Sequence, residues 1–141
     1  MKDKIYFQKV TDKQQIEAFL KKIPNGRRSF RYYDSRPLSV FKNHFVTYLL
    51  YSDNVPIAYG HLEYEKGSNW LGIAVADEYS GKGLGKKMMD RLILFAKKEK
   101  IGKITLTVDE DNNNAISLYR KYGFYRDEML TSEVIKLSLS V

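Results

Sequence analysis

An apolar run over residues 70–76 gives way, within five residues, to three glycines at alternate positions, Gly81, Gly83 and Gly85. A lysine-rich amphipathic stretch starts at once: Lys86, Lys87, Met88, Met89, Leu92, Ile93, Phe95 and Ala96. That order predicts a strand, a tight loop, and a helix whose first turn is bare of large side chains. A helix start carries unpaired N–H groups and the positive end of the dipole, so a bare one admits an anion such as phosphate. The same glycines also suit a plain strand-to-helix turn. Two familiar phosphate templates do not fit. A dinucleotide loop places its third glycine at i+5, and a P-loop follows Gly-Lys with Ser or Thr; here the third glycine is at i+4 and two lysines follow.

The rest of the chain alternates between the two regular periods. Residues 5–10 read as a strand, and Thr11 with Gln14 forms a capping-box signature that opens a helix to about residue 22, stopped by Pro24-Asn25-Gly26. Residues 27–44 lack periodicity and predict a loop with a short helix. Strands at 45–51 and 55–64 flank the turn Ser52-Asp53-Asn54 as a hairpin. Further strands are expected at 70–76, 104–108, about 124–130 and 133–139, with helices at 83–100 and 113–122, the latter ended by Gly123. The expected fold is mixed α/β, with helices on both faces of one sheet. At 141 residues and 43% hydrophobic content, the chain predicts one domain over 1–141 with a substantial core.

A second segment is more specific: Asn112-Asn-Asn-Ala115-Ile-Ser-Leu118-Tyr119-Arg-Lys121-Tyr-Gly123-Phe124. It resembles the second cofactor segment of the GNAT acetyltransferase superfamily, Asn-x-x-Ala-x-x-Leu-Tyr-x-Lys-x-Gly-Phe, at every specified position. The window Ser80-Gly81-Lys82-Gly83-Leu84-Gly85 resembles that superfamily's pyrophosphate loop, Gln/Arg-x-x-Gly-x-Gly/Ala, with Ser80 the one departure. The element order also matches over essentially the whole chain. The resemblance implies a mostly antiparallel sheet of about six or seven strands, splayed between the strands at about 70–76 and 104–108. It implies acetyl-CoA as cofactor, held by Ile73, Ala74 and Val75, by Ser80, Gly81, Lys82, Gly83, Leu84, Gly85 and Lys86, and by Asn112 and Tyr119. Tyr119 is the residue the pattern places beside the leaving sulfur. A phenol near pKa ~10 giving its proton to a thiol near ~8.5 is uphill by about 2 kcal/mol, and hydrogen bonding without full transfer would also serve. As a residue, Tyr119 also fits a core aromatic at helical spacing, and Asn112 a helix cap.

The acceptor would be a primary amine of a small molecule or peptide, and its proton needs a base. Strand alternation puts Tyr59, His61, Glu63 and Glu65 on one face; Glu63 is the first candidate base and His61 the next. Arg31, Tyr32, Tyr33 and His44, with His61, fall where the family builds its acceptor site. Residues 21–44 sum to +6, as do residues 81–103, within a net charge of +7. Arginines among aromatics suit an anionic acceptor, such as a nucleotide-linked amino sugar, and argue against polyamines.

The absence of cysteine removes disulfides and thiol chemistry, and His44 and His61 show no ligand spacing, so no metal is expected. No apolar run reaches membrane-spanning length and no signal peptide is visible, which predicts a cytoplasmic protein without membrane or nucleic-acid partners, as monomer or homodimer. Two alternatives remain at this level. Lys121-Tyr-Gly-Phe-Tyr125 and the basic charge permit an RNA-binding module, although its aromatics straddle a helix end. A catalytically inactive acyl-CoA-binding relative is the other.

Overall fold

Seven strands form one sheet in the order β1-β2-β3-β4-β5-β7-β6 in the computed structural model, which describes residues 4–23 and 30–141. The strands are β1 (Ile5–Lys9), β2 (Val46–Ser52), β3 (Val55–Glu65), β4 (Ser68–Val75), β5 (Lys103–Asp109), β6 (Tyr125–Met129) and β7 (Val134–Ser140). The helices are α1 (Lys13–Leu20), α2 (Leu84–Lys98) and α3 (Asn113–Lys121), with 3-10 turns at Tyr32–Asp34, Leu38–Asn43 and Asp77–Tyr79. The expected mixed α/β architecture is present. The turn sequence Pro24-Asn25-Gly26 lies outside the described residues.

Alternation along β2 and β3 feeds two cores. Tyr48, Leu50, Ala58 and Leu62 face Met88, Met89 and Leu92 of α2. Leu49 and Tyr59 point the other way, against Ile16 and Phe19 of α1. Two-residue closure of the β2–β3 hairpin is carried by Asp53, whose φ of 54° lies in the left-handed region that such turns demand. Gly60 lets α2 approach the sheet: a Cβ there would lie 2.5 Å from Met88 Cγ and 2.6 Å from its Sδ. Gly60→Ala is therefore expected to destabilise the fold by about 1–3 kcal/mol, read as a lower urea midpoint with an unchanged slope. An unshifted midpoint would show that Met88 re-packs freely.

The first helix differs from its sequence reading by one residue at its start. Asp12, not Thr11, is the N-cap: its carboxylate accepts from Gln15 N at 3.1 Å while Gln15 Oε1 accepts from Asp12 N at 3.1 Å. A carboxylate is the better cap, and the Thr11 backbone donates to Gln15 as well. No helix among the described residues is long and apolar enough to cross a membrane.

The sheet has one weak seam. β1 to β4 pair antiparallel throughout, as do β5, β7 and β6, but β4 and β5 run parallel and share only the Trp70–Thr105 pairing. Beyond that point the strands diverge toward their C-terminal ends. The backbone between them is open.

Candidate functional site

The diverging strands form the walls of a cleft of about 720 Å³. Ile73, Ala74 and Val75 of β4 line one side and Leu106, Thr107 and Val108 of β5 the other. Ser80, Gly85, Asn112, Ala115, Leu118 and Tyr119 continue it along the helix starts, while Arg31, Tyr32, His61 and Glu63 line it from the β3 side. The two regions singled out in the sequence therefore open into one space.

At the glycine loop, Gly81 and Gly83 have φ of 77° and 78°, a conformation that costs an L-residue about 1–2 kcal/mol. Gly83 is the N-cap of α2 and no side chain caps it, so the N–H groups of the first turn are left to an outside partner. At Gly85 a Cβ would stand 3.8 Å from Leu118 and 4.0 Å from Val75, in the space between the helix start and the strand. Other expected loop contacts stay outside the cleft. Leu84 is buried in the core beneath α2, Lys86 pairs with Asp90 at 3.4 Å, and Lys82 sits 5.2 Å over the Tyr79 ring. Only their backbones belong to the loop.

Asn112 holds both roles open in its sequence. It caps α3, accepting from Ala115 N at 3.3 Å, and it lines the cleft. Tyr119 packs on Phe124 with centroids 5.7 Å apart, and burial pushes its phenol up to about 12.

The acceptor side is a polar network closed off from most solvent. His61 and Glu63 are 2% and 6% exposed, on the face of β3 that alternation assigns them. The Tyr32 hydroxyl donates to Glu63 Oε2 at 2.8 Å and lies 2.7 Å from His44 Nε2. Because Tyr32 spends its proton on the carboxylate, His44 Nε2–H donates to it, and His44 Nδ1 accepts from the Thr47 hydroxyl at 2.7 Å. His61 Nδ1 pairs with the Tyr59 hydroxyl at 2.7 Å, and Tyr59 with Tyr33 at 2.6 Å. Burial raises the Glu63 carboxyl, partly offset by the Tyr32 hydrogen bond. Burial also holds His61 well below the usual imidazole value and His44 down at about 4, so both rings are neutral.

Two expected acceptor residues are a layer further back. Tyr33 is 6% exposed and bonded to Tyr59, and its hydroxyl, pushed up to about 12 by burial, does not reach the cleft. His44 stands behind Tyr32. The two described arginines of the basic segment are already engaged, Arg31 with Asp109 at 3.1 Å and Arg36 with Glu65 at 3.6 Å while covering the Tyr32 ring at 4.3 Å; Arg27 and Arg28 lie outside the described residues. Arg36 belongs to the basic aromatic segment read from the sequence, whereas Thr47 and Asp109 escaped that reading. Only Thr47 left a signal: hairpin register sets it opposite His61. Gly72, also opposite His61, is what leaves room for the ring, since a Cβ there would stand 2.5 Å from His61 Cε1.

Residues 12–124 match the model of the acetyltransferase (GNAT) family. A spermine/spermidine N(1)-acetyltransferase of Bacillus subtilis is 45% identical over 62 residues, 43% of this chain and 41% of that one, so the match spans less than half the length of that relative. In fold, the chain superposes on a putative acetyltransferase of Acinetobacter baylyi with a TM-score of 0.81 at 17% identity, covering 100% of this chain and 95% of that one. It also superposes on a PaiA N-acetyltransferase of Thermoplasma acidophilum in complex with coenzyme A, with a TM-score of 0.77 at 16% identity, covering 98% and 99%.

Proposed function

Because this chain belongs to the acetyltransferase (GNAT) family, we propose that its cleft transfers an acetyl group from acetyl-CoA to a primary amine of a small molecule or peptide. The observation that carries this reading is the β4–β5 split, which opens backbone on one side toward an uncapped helix start and on the other toward a buried carboxylate. The residues present fit acetyl-CoA. Unpaired edges of Ile73, Ala74 and Val75 suit amide groups, as an added strand would use them. The uncapped start of α2, with left-handed glycines before it, suits a pyrophosphate. Because backbone N–H groups do that work, Ser80 in place of Gln or Arg leaves the cradle intact.

Bound there, acetyl-CoA supplies a thioester whose carbonyl carbon is open to an amine. Glu63 takes the proton that a protonated amine must lose, and its other oxygen is held by Tyr32. His61 borders the same volume and limits the approach. Tyr119, which lines the same cleft, would donate a hydrogen bond from its hydroxyl to the sulfur that leaves when the amine takes the acetyl group.

The acceptor's charge reads differently from the structure than from the sequence. Arg31 and Arg36 are held by Asp109 and Glu65, and the other charged residues lining the cleft are two carboxylates, Glu63 and Asp77, against one lysine, Lys66. These carboxylates favour a second reading, a polyamine acceptor, the class named for the Bacillus subtilis relative. A panel of spermidine, amino sugars and peptides, followed by thiol release, tests both. Turnover of any amine supports transfer, and a preference for spermidine supports the second reading. Silence across the panel with acetyl-CoA bound would leave a binding protein.

Glycine geometry yields a separate expectation. Gly83→Ala should weaken coenzyme A binding by about tenfold, from the strain of a Cβ at φ 78°. Equal affinity in calorimetry would detach the loop from the ligand.

A further inference from the structure

We propose that His44, His61 and Glu63 form a binding site for a single borderline transition-metal ion, zinc in particular. The two histidines are seventeen positions apart and look unrelated in the chain, yet their rings stack with centroids 4.3 Å apart. Each ring has its Nδ1 fixed by a hydroxyl, Thr47 for His44 and Tyr59 for His61, both at 2.7 Å. Both Nε2 atoms stand near one carboxylate: His44 Nε2, which meets the Tyr32 hydroxyl, is 3.6 Å from Glu63 Oε2, and His61 Nε2 is 3.8 Å from Glu63 Oε1. Metal-bound histidines are oriented in this way, one nitrogen on the ion and the other anchored by an outer partner.

The dimensions fit with small movements. Zinc bonds of about 2.0–2.1 Å in a tetrahedron set neighbouring donors about 3.3–3.5 Å apart. The three donor atoms lie within 4.8 Å of one another, so each donor moves by less than about 1 Å while the two stacked rings tilt apart to bring both in-plane lone pairs onto the ion. The ion takes the gap that the Tyr32 hydroxyl now bridges. Binding requires the His44 proton on Nδ1, and the Thr47 hydroxyl accommodates this by accepting instead of donating. His61 and Glu63 border the cleft, which gives the ion an entry path and water a fourth position. Two nitrogens with a single carboxylate select zinc-like ions over magnesium or calcium, which want oxygen shells. An ion here occupies Glu63, so zinc binding and proton abstraction exclude each other; that consequence alone rests on the transferase reading.

The test uses the chelator-stripped 141-residue chain without acetyl-CoA, titrated with zinc against a chromophoric indicator and with cobalt by visible absorption. The expected results are one equivalent bound and the intense visible band of four-coordinate cobalt. His44→Gln and His61→Gln should each weaken binding by at least about tenfold, and Thr47→Val, which keeps all three ligands, by about tenfold through its outer-shell role. Circular dichroism reports whether each variant folds; if a histidine variant does not, Thr47→Val and the cobalt band still decide. No stoichiometric binding, or an affinity unchanged in Thr47→Val and His61→Gln, overturns the site.

Discussion

Tyr119→Phe is expected to lower kcat by about a hundredfold or more, while acetyl-CoA binding shifts less than about threefold. The phenyl ring keeps the packing on Phe124, so only the hydroxyl is lost. Burial adds a constraint that the sequence could not supply. A phenol held at about 12 faces a thiol near ~8.5, so full proton transfer ahead of bond cleavage is uphill by roughly 5 kcal/mol rather than about 2. On the proposed reading the hydroxyl would act by hydrogen bonding to sulfur as charge develops, with transfer completed late. Steady-state kinetics beside calorimetry separates the two quantities. An unchanged kcat would remove the hydroxyl from the chemistry, and a parallel loss of affinity would make it a binding group.

Glu63→Gln is expected to lower kcat/KM for the amine by about a hundredfold or more at neutral pH. An amide keeps the shape and still accepts from Tyr32, so the network that includes His44 and Thr47 stays assembled. What it cannot do is take a proton. The variant's rate should then climb with pH toward the amine's own pKa, about 10 for an alkylamine, because only amine already deprotonated in solution reacts. Wild-type rates without that steep climb locate the base at Glu63. A variant as fast as wild type at neutral pH would move the role elsewhere, with His61 next in position.

The glycine loop and the helix starts beside the cleft were legible because they are local. Glycines that need left-handed backbone, and the Asn112–Phe124 spacing, are written in consecutive residues. The strand face of His61 and Glu63 was also readable, since alternation by two leaves no freedom. Neighbours brought in by tertiary packing were not readable. His44 lies next to His61 because the β2–β3 register folds residue 47 back onto 61, and that register is the one trace of the pairing in the sequence. Arg31 and Arg36 looked available because Asp109 and Glu65 are remote in sequence, and pairing with them offsets the charge that the sequence offered to an anionic acceptor. Tyr33 failed as an acceptor contact for a similar reason: in 3-10 geometry it points inward to Tyr59 while Tyr32 faces the cleft. The capping error at Thr11 is smaller, since both Thr11 and Asp12 can cap and the carboxylate won.

Backbone amide shifts recorded during a titration with coenzyme A test the central claim most directly, because the cradle is made of backbone. The account predicts saturable one-to-one shifts concentrated at residues 73–75, 80–86 and 112–119, with β1 and β6 unaffected. Absence of shifts at millimolar coenzyme A, or shifts confined to surfaces away from the β4–β5 split, would contradict it.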